Sequence, residues 1–300
     1  MAFEPPRRLV RALGETYGDA AAGDWLARLP ELVREAVDAR RLEVERVSAP
    51  GGRSGLVLLV RTPDGVPAAL KVAPPFASPG LELAALAHWD GWGAVRPLPG
   101  EGPGLLLERL HPEMSLRSLP EAKALLEAAG TVRRLWVEPP AGHAFESVAG
   151  RTARQAEAMR TAAKEDPQVA DLVAAALEAR DALIADAPEE LLLHGAFRQG
   201  KVLAADDRAP WLAVGPDPLV GERAFDLARL VRDRVEDLVG ADTGASTGRR
   251  RVNRLADSLD VDRERLRGWT LFRAVESGAR ALAAGRRQDG EVLMEFASWL

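Results

Sequence analysis

The apolar pattern of this chain changes character after about residue 110, and that change limits the folds open to it. Before that point helix-spaced stretches mix with short apolar runs broken by glycine and proline. After His111-Pro112 apolar residues recur at three- and four-residue steps through alanine-rich stretches. Strands first and helices afterwards predict an α+β chain, not a doubly wound sheet. At 300 residues the chain is long for a single hydrophobic core, which favours two lobes. The lobe boundary is expected within 111–119, giving a small sheet-rich N-terminal lobe over 1–112 and a helical C-terminal lobe over 113–300.

In the first lobe Trp25 to Arg40 has helical spacing, with Leu26, Leu29, Leu32, Val33 and Ala36 on one face. Leu42 to Ser48 alternates like a strand, and residues 50–55 form a flexible glycine loop. Leu56 to Arg61 and Ala68 to Ala73 read as strands joined by a turn at Pro63-Asp64-Gly65. The result is a β-meander with one loose corner. A helix over Leu81 to Trp92 and extended segments at Val95 to Leu98 and Gly104 to Leu110 complete the lobe. In the second lobe helices are predicted over Pro120–Trp136, Phe145–Lys164, Pro167–Ala185, Gly221–Val239, Arg249–Leu259, Arg263–Ala284 and Glu291–Leu300. An irregular segment, His194 to Gly215, interrupts them with two short apolar runs, Val202-Leu203 and Trp211 to Val214. Gly240 to Arg251 reads as a mobile loop entering a helix, with Arg249-Arg250-Arg251 as its solvated start.

Charge and composition exclude several functions. A net charge of −5 gives no global electrostatic grip on nucleic acid. No apolar run reaches the roughly 18–20 residues that span a bilayer, and Met1 to Arg11 lacks the apolar stretch of a secretory signal. The chain has no cysteine, which excludes disulfides, thiolate metal sites and a cysteine nucleophile, and is compatible with a reducing cytoplasm. Neither nucleic acid nor membrane is expected as a partner. Its four histidines, His88, His111, His143 and His194, lack zinc-site spacing.

The chemical signal lies in the order of several individually weak features. Only four of the 40 basic residues are lysine, so Lys71, Lys123, Lys164 and Lys201 are each exceptions to local habit. The glycine loop, with Gly51, Gly52 and Ser54, precedes Lys71 on the strand behind it and Glu82 on the next helix. The Leu105-Leu106-Leu107-Glu108-Arg109-Leu110 strand lies at the lobe boundary, and His194-Gly195 opens the irregular segment. Alone, a glycine loop is often only a hairpin and a helix glutamate only a solvated face. In this order they match a two-lobed phosphotransferase: a loop over phosphates, a lysine to neutralise them, a glutamate to hold the lysine, then a catalytic loop.

The chain resembles the aminoglycoside and hydroxyurea antibiotic resistance kinases, the streptomycin phosphotransferase-like branch of the protein-kinase-like fold. The resemblance covers nearly the whole chain. It runs through Trp25-Leu26-Ala27-Arg28-Leu29-Pro30, Ala69-Leu70-Lys71-Val72, Trp89-Asp90-Gly91-Trp92-Gly93, Leu107-Glu108-Arg109-Leu110, Pro218-Leu219-Val220-Gly221 with Asp226, and Trp269 to Val275. The resemblance implies nucleotide contacts at Gly51, Gly52, Ser54, Lys71 and Glu82, with His194 anchoring backbone and Asp226 bracing the catalytic loop. It also implies a second substrate among the C-terminal helices, where Trp269, Glu276, Glu291 and Glu295 are candidates.

The departures from the family bear on chemistry. Its catalytic loop reads His-Gly-Asp-Leu-His, two residues, then Asn-Val-Leu; here residues 194–203 read His-Gly-Ala-Phe-Arg-Gln-Gly-Lys-Val-Leu. The aspartate that accepts the substrate proton is Ala196, and the metal-binding asparagine is Lys201. The family's Ile-Asp-Pro-Lys-Pro is Val214-Gly215-Pro216-Asp217-Pro218, which puts Gly215 at the second metal ligand. The expectation is a pseudokinase with no intact catalytic or metal residue in its degenerate loop, 194–217. Arg198 and Lys201 bring two cations, which either neutralise the phosphates of ATP or another nucleotide without magnesium or are simply solvated. The small-molecule ligand or partner protein stays unidentified. The alternatives are an active small-molecule phosphotransferase with unusual chemistry, and a structural protein whose cleft Phe197 and Lys201 plug.

Overall fold

Apolar alternation in the first third resolves into a four-stranded antiparallel sheet in a computed structural model that describes residues 4–300. Residues 1–3, where the N-terminal reading begins, lie outside the described residues. Along the chain the elements are α1 (Arg7–Tyr17), α2 (Asp19–Ala39), β1 (Glu43–Val47), β2 (Leu56–Arg61), β3 (Pro67–Val72), α3 (Pro79–Trp89), β4 (Leu105–Glu108) and β5 (His111–Ser115). There follow α4 (Glu121–Leu135), β6 (Glu146–Ser147), α5 (Val148–Glu165), α6 (Ala170–Ala185), β7 (Leu191–Leu193), β8 (Val202–Ala204), β9 (Trp211–Ala213) and β10 (Leu219–Gly221). Five helices end the chain: α7 (Arg223–Val231), α8 (Val235–Val239), α9 (Gly244–Leu259), α10 (Arg263–Ala283) and α11 (Arg287–Ser298). The predicted α+β class is the observed one. No helix among the described residues is long and apolar enough to cross a membrane.

The chain divides into two compact units. The first runs through Ser118 and also takes in Lys201–Pro216. Its sheet order is β1-β2-β3-β4, and the β2–β3 hairpin pairs Val57 with Lys71. Leu56, Leu58, Val60, Leu70 and Val72 bury one sheet face under Leu9, Leu13, Trp25, Leu29 and Val33 of α1 and α2. That burial draws α1 into the core, although its Leu9, Ala12 and Leu13 fill only one turn of apolar spacing. Residues 201–216, which the sequence reading assigns to 113–300, join the first unit because β8 pairs with β5 and β9 with β8. Ala213 also bridges to Ala94.

The second unit, Leu119–Gly200 with Asp217–Leu300, is built around α10, which packs on α5, α6, α7, α9 and α11. Trp269 and Phe272 on α10 and Phe225 on α7 meet edge to face at 5.1 and 5.9 Å and are fully or almost fully buried. A small sheet, β6-β10-β7, spans this unit, with Asp217 just ahead of β10.

Two expectations fail here. The helix predicted over Gly221–Val239 breaks at Arg234, which sits in the left-handed region at φ 56°. Arg234 is held there by bonds to the Gln199 side chain and the Leu119 carbonyl at 2.9 and 2.8 Å. The segment expected as a mobile loop is helical from Gly244 onward, and Arg251 is buried rather than solvated. Its guanidinium donates to the carbonyls of Val231 and Asp233, left open by the break, and to Glu121. Arg249 and Arg250 remain exposed. Arg251→Ala should therefore lower stability by about 1.5–3 kcal/mol, while Arg249→Ala and Arg250→Ala stay within about 0.5 kcal/mol. Urea unfolding of the three variants checks this; equal small effects in all three would return the segment to a solvated helix start.

Candidate functional site

Lys71 points inward from β3 because strand alternation puts it on the opposite face from Leu70 and Val72. Glu82, in the first turn of α3, meets it. Lys71 Nζ donates to Glu82 Oε2 at 2.5 Å and to Ser54 Oγ of the glycine loop at 3.2 Å. Lysine and glutamate are only 6% and 4% exposed, so neither is a solvated face. Glu82 Oε1 is buried without a hydrogen-bond partner among the described residues. Gly51 and Gly52 lie in the same β1–β2 connection as Ser54. A lysine clamped by a glutamate beside a loop hydroxyl fits the phosphates of a nucleotide.

Lys201 and Gly215 belong to the same unit as this clamp. Lys201 immediately precedes β8 and Gly215 lies two residues after β9, so the hairpin brings the lysine side chain within reach of the Gly215 carbonyl. Lys201 Nζ donates to the Gly215 carbonyl at 2.5 Å. A Cβ built on Gly215 would point at that ammonium, 3.8 Å from Nζ. Where the resemblance expects two oxygen donors, this chain has an ammonium and a hydrogen atom. Magnesium needs oxygen ligands in near-octahedral array, and these residues do not fit it. No group of three or more His, Asp or Glu side chains is placed to hold a metal among the described residues.

Ala196, Arg198 and Asp217 belong to the second unit. The loop that carries Ala196 is intact. His194 is fully buried, donates its amide to Asp226 at 3.0 Å, and its Nδ1 accepts from the Ala196 amide at 3.3 Å. Burial pushes the Asp226 carboxyl above its ordinary range, against the pull of the Arg273 guanidinium and the His194 amide. Gly195 has φ 71°, and a Cβ there would fall 1.8 Å from the Asp217 carbonyl oxygen, so only glycine fits. Phe197 is buried edge-on against His194 at 5.6 Å. Arg198 lies within electrostatic reach of Asp233, which accepts the Gln199 amide at 2.5 Å.

Asp217, two residues after Gly215, does not replace the missing ligand. Its carboxylate is gripped by Arg151 through two bonds, at 2.8 and 3.1 Å. Arg151 escapes sequence reasoning, because its partner lies 66 residues away and no local pattern marks it. The acceptor candidates do not gather. Trp269 is core, donating from Nε1 to the buried Glu222. Glu276 pairs with Arg280, Glu291 with Arg287, and Glu295 is exposed.

Comparison with known proteins adds the context. Residues 40–285 match the family described as aminoglycoside/hydroxyurea antibiotic resistance kinase. The chain is 33% identical over 279 residues to streptomycin 6-kinase of Streptomyces glaucescens, covering 91% of this chain and 89% of that one. It is 36% identical over 289 residues to hydroxyurea phosphotransferase of Kitasatospora aureofaciens, covering 93% and 79%. In fold it is similar to the crystal structure of aminoglycoside phosphotransferase APH(4)-Ia, with a TM-score of 0.58 at 16% identity over 91% of this chain and 97% of that one.

The clamp makes its own prediction. Glu82→Ala leaves the Lys71 ammonium buried without its counter-charge and should cost about 3–5 kcal/mol. Glu82→Gln keeps an acceptor oxygen and should cost less. Urea unfolding distinguishes them, and a Glu82→Ala protein as stable as the parent would contradict the buried pair.

Proposed function

The chain belongs to the aminoglycoside/hydroxyurea antibiotic resistance kinase family, and from that premise we propose that it binds a nucleotide but lacks the family's route to phosphate transfer. The observation that carries this reading is the Lys201 ammonium seated on the Gly215 carbonyl, at the two positions where the resemblance places metal ligands. Ala196, at the position of the base, accepts no proton, and a general base typically contributes about 10²–10⁴ in rate. A metal ion adds several kcal/mol of charge stabilisation in the transition state. Without both, transfer falls towards background.

On this reading Lys71, Glu82 and Ser54, with Gly51 and Gly52, hold the phosphates of ATP or another nucleotide. Lys201, in the same unit, supplies positive charge in place of a divalent ion. The protein then acts by binding, in the cytoplasm, beside antibiotic resistance or secondary metabolism. A second reading, phosphate transfer to an alcohol group of an aminoglycoside-type acceptor, is favoured by the comparisons. The relatives that match over most of both chains are named streptomycin kinases and hydroxyurea phosphotransferase. That reading needs a base and a phosphate-neutralising arrangement other than the family's.

Calorimetric titration with ATP, with and without chelator, tests the proposal. Binding should be indifferent to chelator and weaken by about tenfold or more, roughly 1.4 kcal/mol, in Lys71→Ala. Phosphorus NMR should show no transfer to streptomycin or hydroxyurea. Restoring Ala196→Asp, Lys201→Asn and Gly215→Asp together should make binding magnesium-dependent; the φ of 60° at position 215 is one that aspartate tolerates. Transfer by the native chain, abolished in Lys71→Ala, would establish the second reading instead.

A further inference from the structure

The second unit carries a concentration of arginine apart from the nucleotide clamp, and the fold gives acceptors to only part of it. Arg229 on α7 and Arg232 at its C-terminal cap are three residues apart. Arg273 and Arg280 are seven apart on α10, on one face, with Glu276 between them. The two helices pack against each other. Arg229 and Arg232 stand within electrostatic reach of each other and of both Arg273 and Arg280, with Glu276 in reach of Arg229, Arg232 and Arg273.

Elsewhere in this unit buried arginines end on acceptors. Arg251 takes the carbonyls of Val231 and Asp233, and Arg265 takes Glu222 and the Leu183 carbonyl. Arg273 likewise donates to the carbonyls of Phe225 and Gly195 at 2.8 and 2.9 Å and lies over the Phe225 ring at 4.3 Å. Arg229 and Arg232 differ. Both are half-buried, yet among the described residues neither has a hydrogen-bond or ion-pair partner.

The carboxylates nearby are already engaged. Glu276 is shared by Arg280 and the Ser277 hydroxyl, Asp217 is gripped by Arg151, and Asp226 and Asp233 accept the amides of His194 and Gln199. Burial is the first cause of the lowered arginine values here, and at Arg229 the Asp233 carboxylate pulls the other way. Burial lowers Arg232 well below the ordinary arginine value and Arg229 and Arg273 add to the fall, while burial and then Arg229 bring Arg273 down to about 10. Two half-buried guanidiniums without acceptors, set beside two that have them, are costly unless an anion completes them.

We propose that Arg229 and Arg232, backed by Arg273 and Arg280, form a binding site for a small molecule bearing oxyanion groups, phosphate or carboxylate. The planar guanidinium fork matches such groups with paired hydrogen bonds. Arg273 ties this face to the loop at Gly195, so a bound anion is coupled to the backbone that carries Ala196. The same charge disfavours a polycation such as streptomycin. The site stands whether or not phosphate transfer survives.

Calorimetry and thermal melting of the full chain test this with inorganic phosphate, pyrophosphate and citrate as probes, in a buffer free of other multivalent anions. At least one probe should bind and raise the melting temperature. Preference for the phosphates assigns a phosphate ester, and preference for citrate a polycarboxylate. The Arg229→Gln/Arg232→Gln variant should lose about tenfold or more of that affinity, whereas Lys71→Ala should keep it. In anion-free buffer the double variant should melt no lower than the parent, because it relieves repulsion. If it fails to fold, Arg229→Lys and Arg232→Lys singly carry the same test by removing the fork and keeping the charge. The proposal is overturned if none of the three anions binds, if binding survives these substitutions, or if it disappears with Lys71→Ala.

Discussion

One contact, the Lys201 ammonium on the carbonyl of Gly215, organises the functional account. The β8–β9 register, with Val202 paired to Ala213, sets Lys201 opposite Val214, whose amide donates to the Lys201 carbonyl, and the lysine side chain reaches one residue further to the Gly215 carbonyl. At such a pair two oxygen-bearing side chains would collect a divalent cation. A lysine opposite a glycine supplies the positive charge from the chain itself and leaves no ligand with which to exchange it. The charge at the site survives the substitutions; the coordination does not.

Arginine does much of the joining work in both units. Irregular connections leave carbonyls that no helix or sheet satisfies, and a guanidinium carries five donors in a rigid fork. In the first unit Arg109 takes the carbonyls of Val60 and Ala68, and Arg208 those of Gly91 and Ala94. In the second, Arg234 holds Leu119 while Arg251 closes the broken end of α7. Against this habit Arg229 and Arg232 stand out among the half-buried and buried arginines of the second unit, because Arg151, Arg180, Arg223, Arg251, Arg265 and Arg273 there terminate on acceptors.

The legible parts of the fold are those set by local pattern. Alternation and turn chemistry mark the β2–β3 hairpin, and with it the inward face on which Lys71 sits. Glu82 is legible only through its place after that lysine, since its helix spacing alone fits a solvated residue equally well. What the sequence hides is decided by distant partners. Nothing near Arg234 predicts a break; its guanidinium donates to Gln199 and Leu119, 35 and 115 residues away in the chain. Residues 201–216 look like part of the helical half until β5 offers them an edge to pair with. Trp269, a candidate acceptor contact by resemblance, is core instead, with its indole nitrogen bonded to the buried Glu222.

The central claim is that this chain holds nucleotide phosphates without a divalent ion, and manganese reports on it most directly. Electron paramagnetic resonance of manganese titrated into protein with saturating ATP distinguishes metal held on the protein from metal on free nucleotide. The account predicts only the free manganese–nucleotide signal, with ATP binding no tighter in the presence of the ion. A distinct protein-bound manganese species that strengthens ATP binding would contradict it.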